Sequence, residues 1–302
     1  MMKLLRRVAD DNAIGDLRPL PVPCALVAAA AFVILRLTFV GYVFPGHKFA
    51  PIRNATGGLV QPTLLANLTI LAVVVFILAC VGRQRPGDLG WSGSLRTAIT
   101  GTVSVWLAIN AIEAVLALSV GGPIWNRDWA SAPAKLVGRW MAETVGTAFL
   151  EETLFRGVAL RQIARCIGTS SWTATQRWSV ALVLSQLLFA IMHIPLLVYV
   201  GAPVLTSLPG LFLAGAALAA LYMVTRNLFL CVGVHGLADA PTLIVIDRLN
   251  LLESQYFAVL SCTALIAVAL SLKKNRTVAL YRTLLDQAFK LDRAPIKLRG
   301  QS

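Results

Sequence analysis

Three short runs in this sequence combine residues able to move protons: Glu151-Glu152 with Arg156, His193 four residues after Phe189, and His235 four residues before Asp239. A carboxylate can take a proton from water, an imidazole can share it, and a polar donor can hold the oxyanion formed when the nucleophile adds to a carbonyl. Helical spacing sorts the roles. Glu152 and Arg156 are four apart and can form an ion pair, which leaves Glu151, about 100° away around the helix, available for chemistry. His235 and Asp239 share a face at the same spacing. The chain has three histidines. Two lie in these runs, and the third, His47, falls in a predicted loop where it is expected to be solvated.

All three runs are embedded in apolar sequence. Of 302 residues, 57% are hydrophobic and only 14% charged, and mean hydropathy is +0.74, which excludes a soluble enzyme. The apolar stretches run to about 20 residues, the length a helix needs to cross a bilayer. The expected fold is all-α: a polytopic membrane protein of about eight transmembrane helices enclosing an intramembrane polar cavity. Hydropathy places them at roughly 24–44, 62–82, 98–120, 136–163, 178–200, 207–225, 228–246 and 255–272. Basic residues alternate between the connections. Arg83, Arg85 and Arg96, then Arg161, Arg165 and Arg177, then Arg226, then Lys273, Lys274 and Arg276 mark one side, so both termini are expected in the cytoplasm. This also accounts for the net charge of +13 without a nucleic-acid partner, since no basic face is interleaved with aromatics. Asp10, Asp11 and Asp16 dilute the positive charge at the start, and the first apolar run, after Pro23, is expected to be a retained span. The five cysteines form no metal-ligand spacing and are expected mostly as small buried residues.

Ionisable groups inside a span are costly unless paired or turned to a wet cavity. Rise-per-residue arithmetic puts Glu151 about 22 Å from the outer end of its helix, with His193, His235 and Asp239 at depths that allow one shared cavity. Taken singly, a Glu-Arg pair is as readily a strut and a lone histidine a packing residue; together on three helices they point to catalysis. Arg36 is expected to snorkel or to pair with Glu113, and Asn67 and Asn110 to make interhelical hydrogen bonds. Beyond Lys274, apolar residues at helical spacing predict an interfacial amphipathic helix over 275–296. No internal repeat is apparent, so residues 1–302 read as a single membrane domain.

The runs Glu151-Glu152-x-x-x-Arg156-Gly157, Phe189-x-x-x-His193 and His235-x-x-x-Asp239 resemble, in order and spacing, the motifs of the CPBP intramembrane proteases. That family joins CAAX prenyl endopeptidases of the Ras-converting type with bacterial bacteriocin-processing and abortive-infection proteins. Asp88-Leu89-Gly90-Trp91 and Arg226-Asn227-Leu228-Phe229 add to the likeness, which covers about 85–245. The resemblance implies an intramembrane endopeptidase of the bacterial cytoplasmic membrane, with eight helices and a cavity open to the cytoplasm. It further implies water activation by Glu151 and His193, support from Glu152 and Arg156, and stabilisation of the tetrahedral intermediate by His235 and Asp239. The implied partners are the lipid bilayer and a membrane-associated protein or peptide, prenylated or not. Metal-free catalysis without cofactor is the expectation, with zinc on Glu151, His193, His235 and Asp239 as the alternative. The Ras-converting branch has Asn where this chain has Asp239, which must act as a protonated donor or instead orient His235. Two other readings compete: a non-catalytic membrane immunity or scaffold protein, and a proton-coupled transporter, which the lack of an inverted repeat disfavours.

Overall fold

The computed structural model describes residues 16–168 and 172–246. The expected eighth span and the interfacial helix over 275–296 lie outside the described residues.

Among the described residues, five helices are long and apolar enough to cross a membrane: α1 (Val22–Val43), α3 (Pro62–Val81), α4 (Leu95–Ser119), the stretch Ala174–Tyr199 and α9 (Val204–Thr225). Short α2 (Ala50–Ala55) follows α1, and short α5 (Asp128–Ser131) follows α4. Between α5 and Ala174 runs α6, residues 133–167, a continuous helix that carries the charged motif. A further apolar helix, α10, is short at Leu228–Asp239. Outward-facing side chains such as Leu26 at 65%, Phe76 at 65% and Leu118 at 67% exposure cover the bundle, a surface suited to lipid and not to water. The protein is an integral membrane protein.

Local chemistry fixes the helix starts. Proline opens α1, α3 and α6, where the first N–H would have no intrahelical partner. Ser94 caps α4 and Asn227 caps α10 through side-chain oxygens. Thr173 and Gln176 form a reciprocal capping box at the start of Ala174–Ile191.

Two expected spans differ. The fifth does not continue as one helix from 178 to 200: α7 (Ala174–Ile191) ends, Met192 and His193 make a turn, and α8 (Ile194–Tyr199) restarts. Pro195, at the first positions of α8, has no N–H to bond back along the chain. The seventh ends at Asp239 and not at 246, because Pro241 follows and Thr242 adopts a left-handed φ of 47°. The chain then runs to β2 (Val245–Ile246), which pairs antiparallel with β1 (Ile124–Trp125). Trp106, Asn110, Asn126 and Trp129 strap this 240–246 segment by hydrogen bonds to its backbone, satisfying polar groups that a helix would have paired internally.

Helix α10 is the centre of the bundle, buried along nearly its whole length and enclosed by α4, α6 and α9. Gly236 permits its closest approach to α6: a side chain there would collide with Thr144. Of the described cysteines, Cys24 and Cys231 are buried, while Cys80 and Cys166 are exposed.

Candidate active site

Helix α6 is not uniform. Its regular turn Phe149–Glu152 is flanked by wide, π-helical stretches at Ala142–Ala148 and Thr153–Ala159. Such widened turns depart from the regular i→i−4 pairing and are frequent at functional sites. Here they frame Glu151 and Glu152, which point into the bundle and are 3% and 0% exposed.

The second carboxylate is held hard. Arg156 Nη1 donates to Glu152 Oε1 at 2.9 Å with both side chains fully buried. Nη2 of Arg156 donates to Gln186 Oε1 at 3.1 Å and to the Gly215 carbonyl at 2.9 Å, and the guanidinium lies 4.6 Å from the Phe189 ring centroid. Gly215 makes the seat, since a side chain there would meet Gln186, Phe189 and Arg156. Desolvating an arginine is tolerated only with this degree of pairing.

The first carboxylate is held differently. Oε2 of Glu151 lies 3.7 Å from His193 Nε2 and 3.8 Å from His235 Nε2, and this buried oxygen has no hydrogen-bond partner among the described residues. Backbone geometry brings the first imidazole in: at the break between α7 and α8, His193 Nδ1 is 2.8 Å from the Phe189 carbonyl. A carbonyl only accepts, so Nδ1 carries a proton, and in the neutral ring Nε2 presents its lone pair towards Glu151. His235 is set in the same way, with Nδ1 2.7 Å from Glu152 Oε1. Its Nε2 also faces Asp239 Oδ2 at 3.4 Å. His193 and Asp239 are the accessible edge of the group, with side chains 14% and 25% exposed.

All six expected residues therefore meet in one cluster, from α6, the α7–α8 turn and α10. Other members were not legible as site residues. Arg36 faces Glu151 and Asn67, not Glu113 as expected. Gln186 completes the Arg156 seat; its signal was a lone amide inside an apolar helix. Glu143 is hydrogen-bonded to Thr147 and lies near enough to Glu151, His235 and Asp239 for its charge to act on each; eight residues before Glu151, it shares that helix face. The two auxiliary motifs are braces. Asp88 accepts from the backbone of Arg18 and Arg85, and Trp91 Nε1 donates to Thr153 Oγ1 at 3.0 Å, fastening the 85–91 loop to α6. Asn227 caps α10 and donates to the Ser94 carbonyl.

Residues 133–241 match the family model described as type II CAAX prenyl endopeptidase Rce1-like. This stretch is similar to an Rce1-like domain. It begins at the first residue of α6, ends two residues after Asp239 and contains all six clustered side chains. The assignment agrees with the CPBP intramembrane proteases indicated by the motifs. No curated protein and no solved structure matches the chain. Helices α1, α3 and α4 lie outside the matched stretch, although Arg36 on α1 reaches into its site.

The donor set of the matched stretch bears on metal chemistry. Histidines fixed through Nδ1 leave Nε2 suited either to a hydrogen-bonded water or to a metal ion. Among the described residues, however, no group of three or more His, Cys, Asp or Glu side chains is arranged to hold a metal ion.

Proposed function

We propose that this protein is an intramembrane endopeptidase in which Glu151 and His193 activate water. The observation that carries the reading is the buried, unpartnered Oε2 of Glu151 facing two imidazole Nε2 atoms at 3.7 and 3.8 Å. Those separations are too long for direct hydrogen bonds and suit one water bridging the pair. Such a water donates one hydrogen to Glu151 and the other to His193 Nε2.

As its oxygen adds to the scissile carbonyl, Glu151 takes a proton and the carbonyl oxygen becomes an oxyanion. Asp239, when protonated, stands beside His235 as a donor for that oxyanion. Collapse of the intermediate breaks the C–N bond, and the proton on Glu151 passes to the leaving amine. Glu152 and Arg156 do not touch the substrate in this scheme; they fix His235 and the helix that bears Glu151.

The substrate is proposed to be membrane-associated and lipid-modified. An apolar groove of about 320 Å³ lies between α1, α3, α6 and α7, lined among others by Ala28, Phe32, Leu78, Phe155, Val158 and Met192. Phe155 packs edge-on against Phe189, whose ring centroid lies 4.6 Å from that of His193, so a hydrocarbon chain in the groove would lie close to the reacting group. The cytoplasmic orientation of both termini also remains part of this proposal.

The test is mass spectrometry of the membrane proteome from cells carrying wild type or Glu151→Gln, which keeps shape and removes the base. A protein whose terminus is processed only with wild type is expected. Processing that persists in a well-expressed Glu151→Gln variant, and in His193→Ala, would overturn the reading.

A further inference from the structure

We propose that Arg36, on helix α1 and outside the matched stretch 133–241, is a positioning residue for Glu151. This rests on Glu151 being the general base.

An arginine inside a span lowers its cost either by extending to the membrane surface or by finding partners within. Arg36 lies seven residues before the end of α1 at Val43, about 10 Å along the helix, so extension to the surface is one way to lower its cost. It turns inward instead. Its side chain is 11% exposed, and Nη2 stands 3.9 Å from Glu151 Oε1. Nη1 donates to Asn67 Oδ1 at 3.2 Å. Asn67, on α3, is itself buried, and its Nδ2 donates to Thr147 Oγ1 at 2.8 Å. Thr147 is four residues before Glu151 on α6. The guanidinium is thus clamped from behind by a buried amide anchored to the helix that carries its target.

Two features of this arrangement give Arg36 its role. The first is charge. Glu152 has Arg156 bonded directly to it, whereas the only guanidinium within ion-pair distance of Glu151 among the described residues is Arg36. The imidazoles are not fixed cations, so Arg36 is the permanent compensation for the first carboxylate. The second is which oxygen it approaches. Arg36 faces Oε1, while both imidazoles face Oε2. At 3.9 Å it attracts the carboxylate without a hydrogen bond. The lone pairs of Oε2 therefore stay open to a water proton, and rotation of the carboxylate away from the imidazoles is opposed. A closer partner on Oε2 would occupy the lone pair the reaction needs.

The sequence holds the same logic in outline. Arg36 is the one charged residue in the apolar run from Pro23 to Phe44, and Asn67 the one amide in the run from Leu64 to Val81. Each would be expensive alone. Together they place a cation against Glu151 that 133–241 does not supply for that carboxylate.

The test uses the full chain in lipid nanodiscs, with Arg36→Gln, Arg36→Lys, Asn67→Leu and Glu151→Gln. Infrared difference spectra between wild type and Glu151→Gln isolate the Glu151 carboxylate band without any substrate. In the Arg36→Gln background that band should change frequency, and in Arg36→Lys it should stay close to wild type. On the processed protein identified with Glu151→Gln, Arg36→Gln and Asn67→Leu should lower kcat about 10- to 100-fold, typical of losing an outer-shell partner, with KM within about twofold. Arg36→Lys should recover most of it. Adding Arg36→Gln to Glu151→Gln should cost nothing further, because Arg36 acts through Glu151. An unchanged carboxylate band and turnover in Arg36→Gln, while Glu151→Gln is inactive, would overturn the positioning role alone. Activity surviving in Glu151→Gln would instead remove the general-base reading on which it rests.

Discussion

His235 Nδ1 and Glu152 Oε1 are 2.7 Å apart, inside the bundle and away from the accessible edge of the site. Glu152 Oε1 also receives the Arg156 guanidinium at 2.9 Å. One carboxylate oxygen thus joins the helix strut to the imidazole and determines which ring nitrogen carries a proton. Orientation of His235 does not require Asp239, since an orienting partner is already present on the other side of the ring.

Asp239→Asn should therefore retain activity to within about tenfold of wild type, because Asn supplies an N–H where a protonated Asp supplies an O–H. His235→Ala should lose the 10²–10⁴-fold that is typical of a proton-handling group. Steady-state rates for the two variants decide the matter. An Asn variant as inactive as His235→Ala, with normal folding, would return the orienting role to Asp239.

Stability should separate the paired glutamates. Removing one partner of a fully buried ion pair leaves an uncompensated charge, at a cost of about 3–5 kcal/mol. Arg156→Met and Glu152→Gln should both lower thermal unfolding temperatures in detergent markedly, whereas Glu151→Gln should lower them less, because Arg36 makes no hydrogen bond to Glu151 and keeps Asn67 as a partner. Equal destabilisation by both glutamate substitutions would show Glu151 to be structural as well.

Chelation addresses cofactor use. Water activation by Glu151 and His193 predicts that extensive treatment of the purified protein with a zinc chelator leaves turnover unchanged. Inhibition that is reversed by added Zn²⁺ would establish a metal role for the same side chains.

The apolar groove can be filled from within. Ala28→Phe and Val158→Trp place bulk in its lining and should raise KM about tenfold for a farnesylated peptide while leaving kcat unchanged. A peptide of the same sequence without the hydrocarbon chain should not respond. If neither substrate distinguishes the variants, the groove does not hold the substrate lipid.

Orientation is accessible to labelling. Cysteines introduced singly in the 83–94 loop should react from the cytoplasmic side, and those in the 121–127 loop from the opposite side, as the alternation of basic residues requires. Reversed labelling would invert the bundle.

Composition and spacing were sufficient to determine an all-helical membrane protein and the six residues that cluster. Long apolar runs allow one solution in a bilayer, because each backbone polar group must be satisfied within the segment. Charged residues interrupting such runs stand out for the same reason, and a spacing of four already implies the Glu152–Arg156 contact. Hydropathy could not see where helices stop inside the apolar region. The break at His193 goes with Pro195, and the end of α10 at Asp239 goes with Pro241 together with Trp106 and Asn126, which donate to the released carbonyls, and Asn110, which accepts from a released N–H.

Partner choice was also a tertiary matter. Arg36 could in principle have paired with Glu113 or reached the surface; which acid it meets depends on how α1 and α3 lean against α6, and no local pattern encodes that. Likewise His235 bonds Glu152, on another helix, more closely than Asp239 on its own, since the Gly236–Thr144 approach brings α10 and α6 together. Residue type and period are read along the chain, but the pairing of buried charges is decided by packing, which the linear order does not contain.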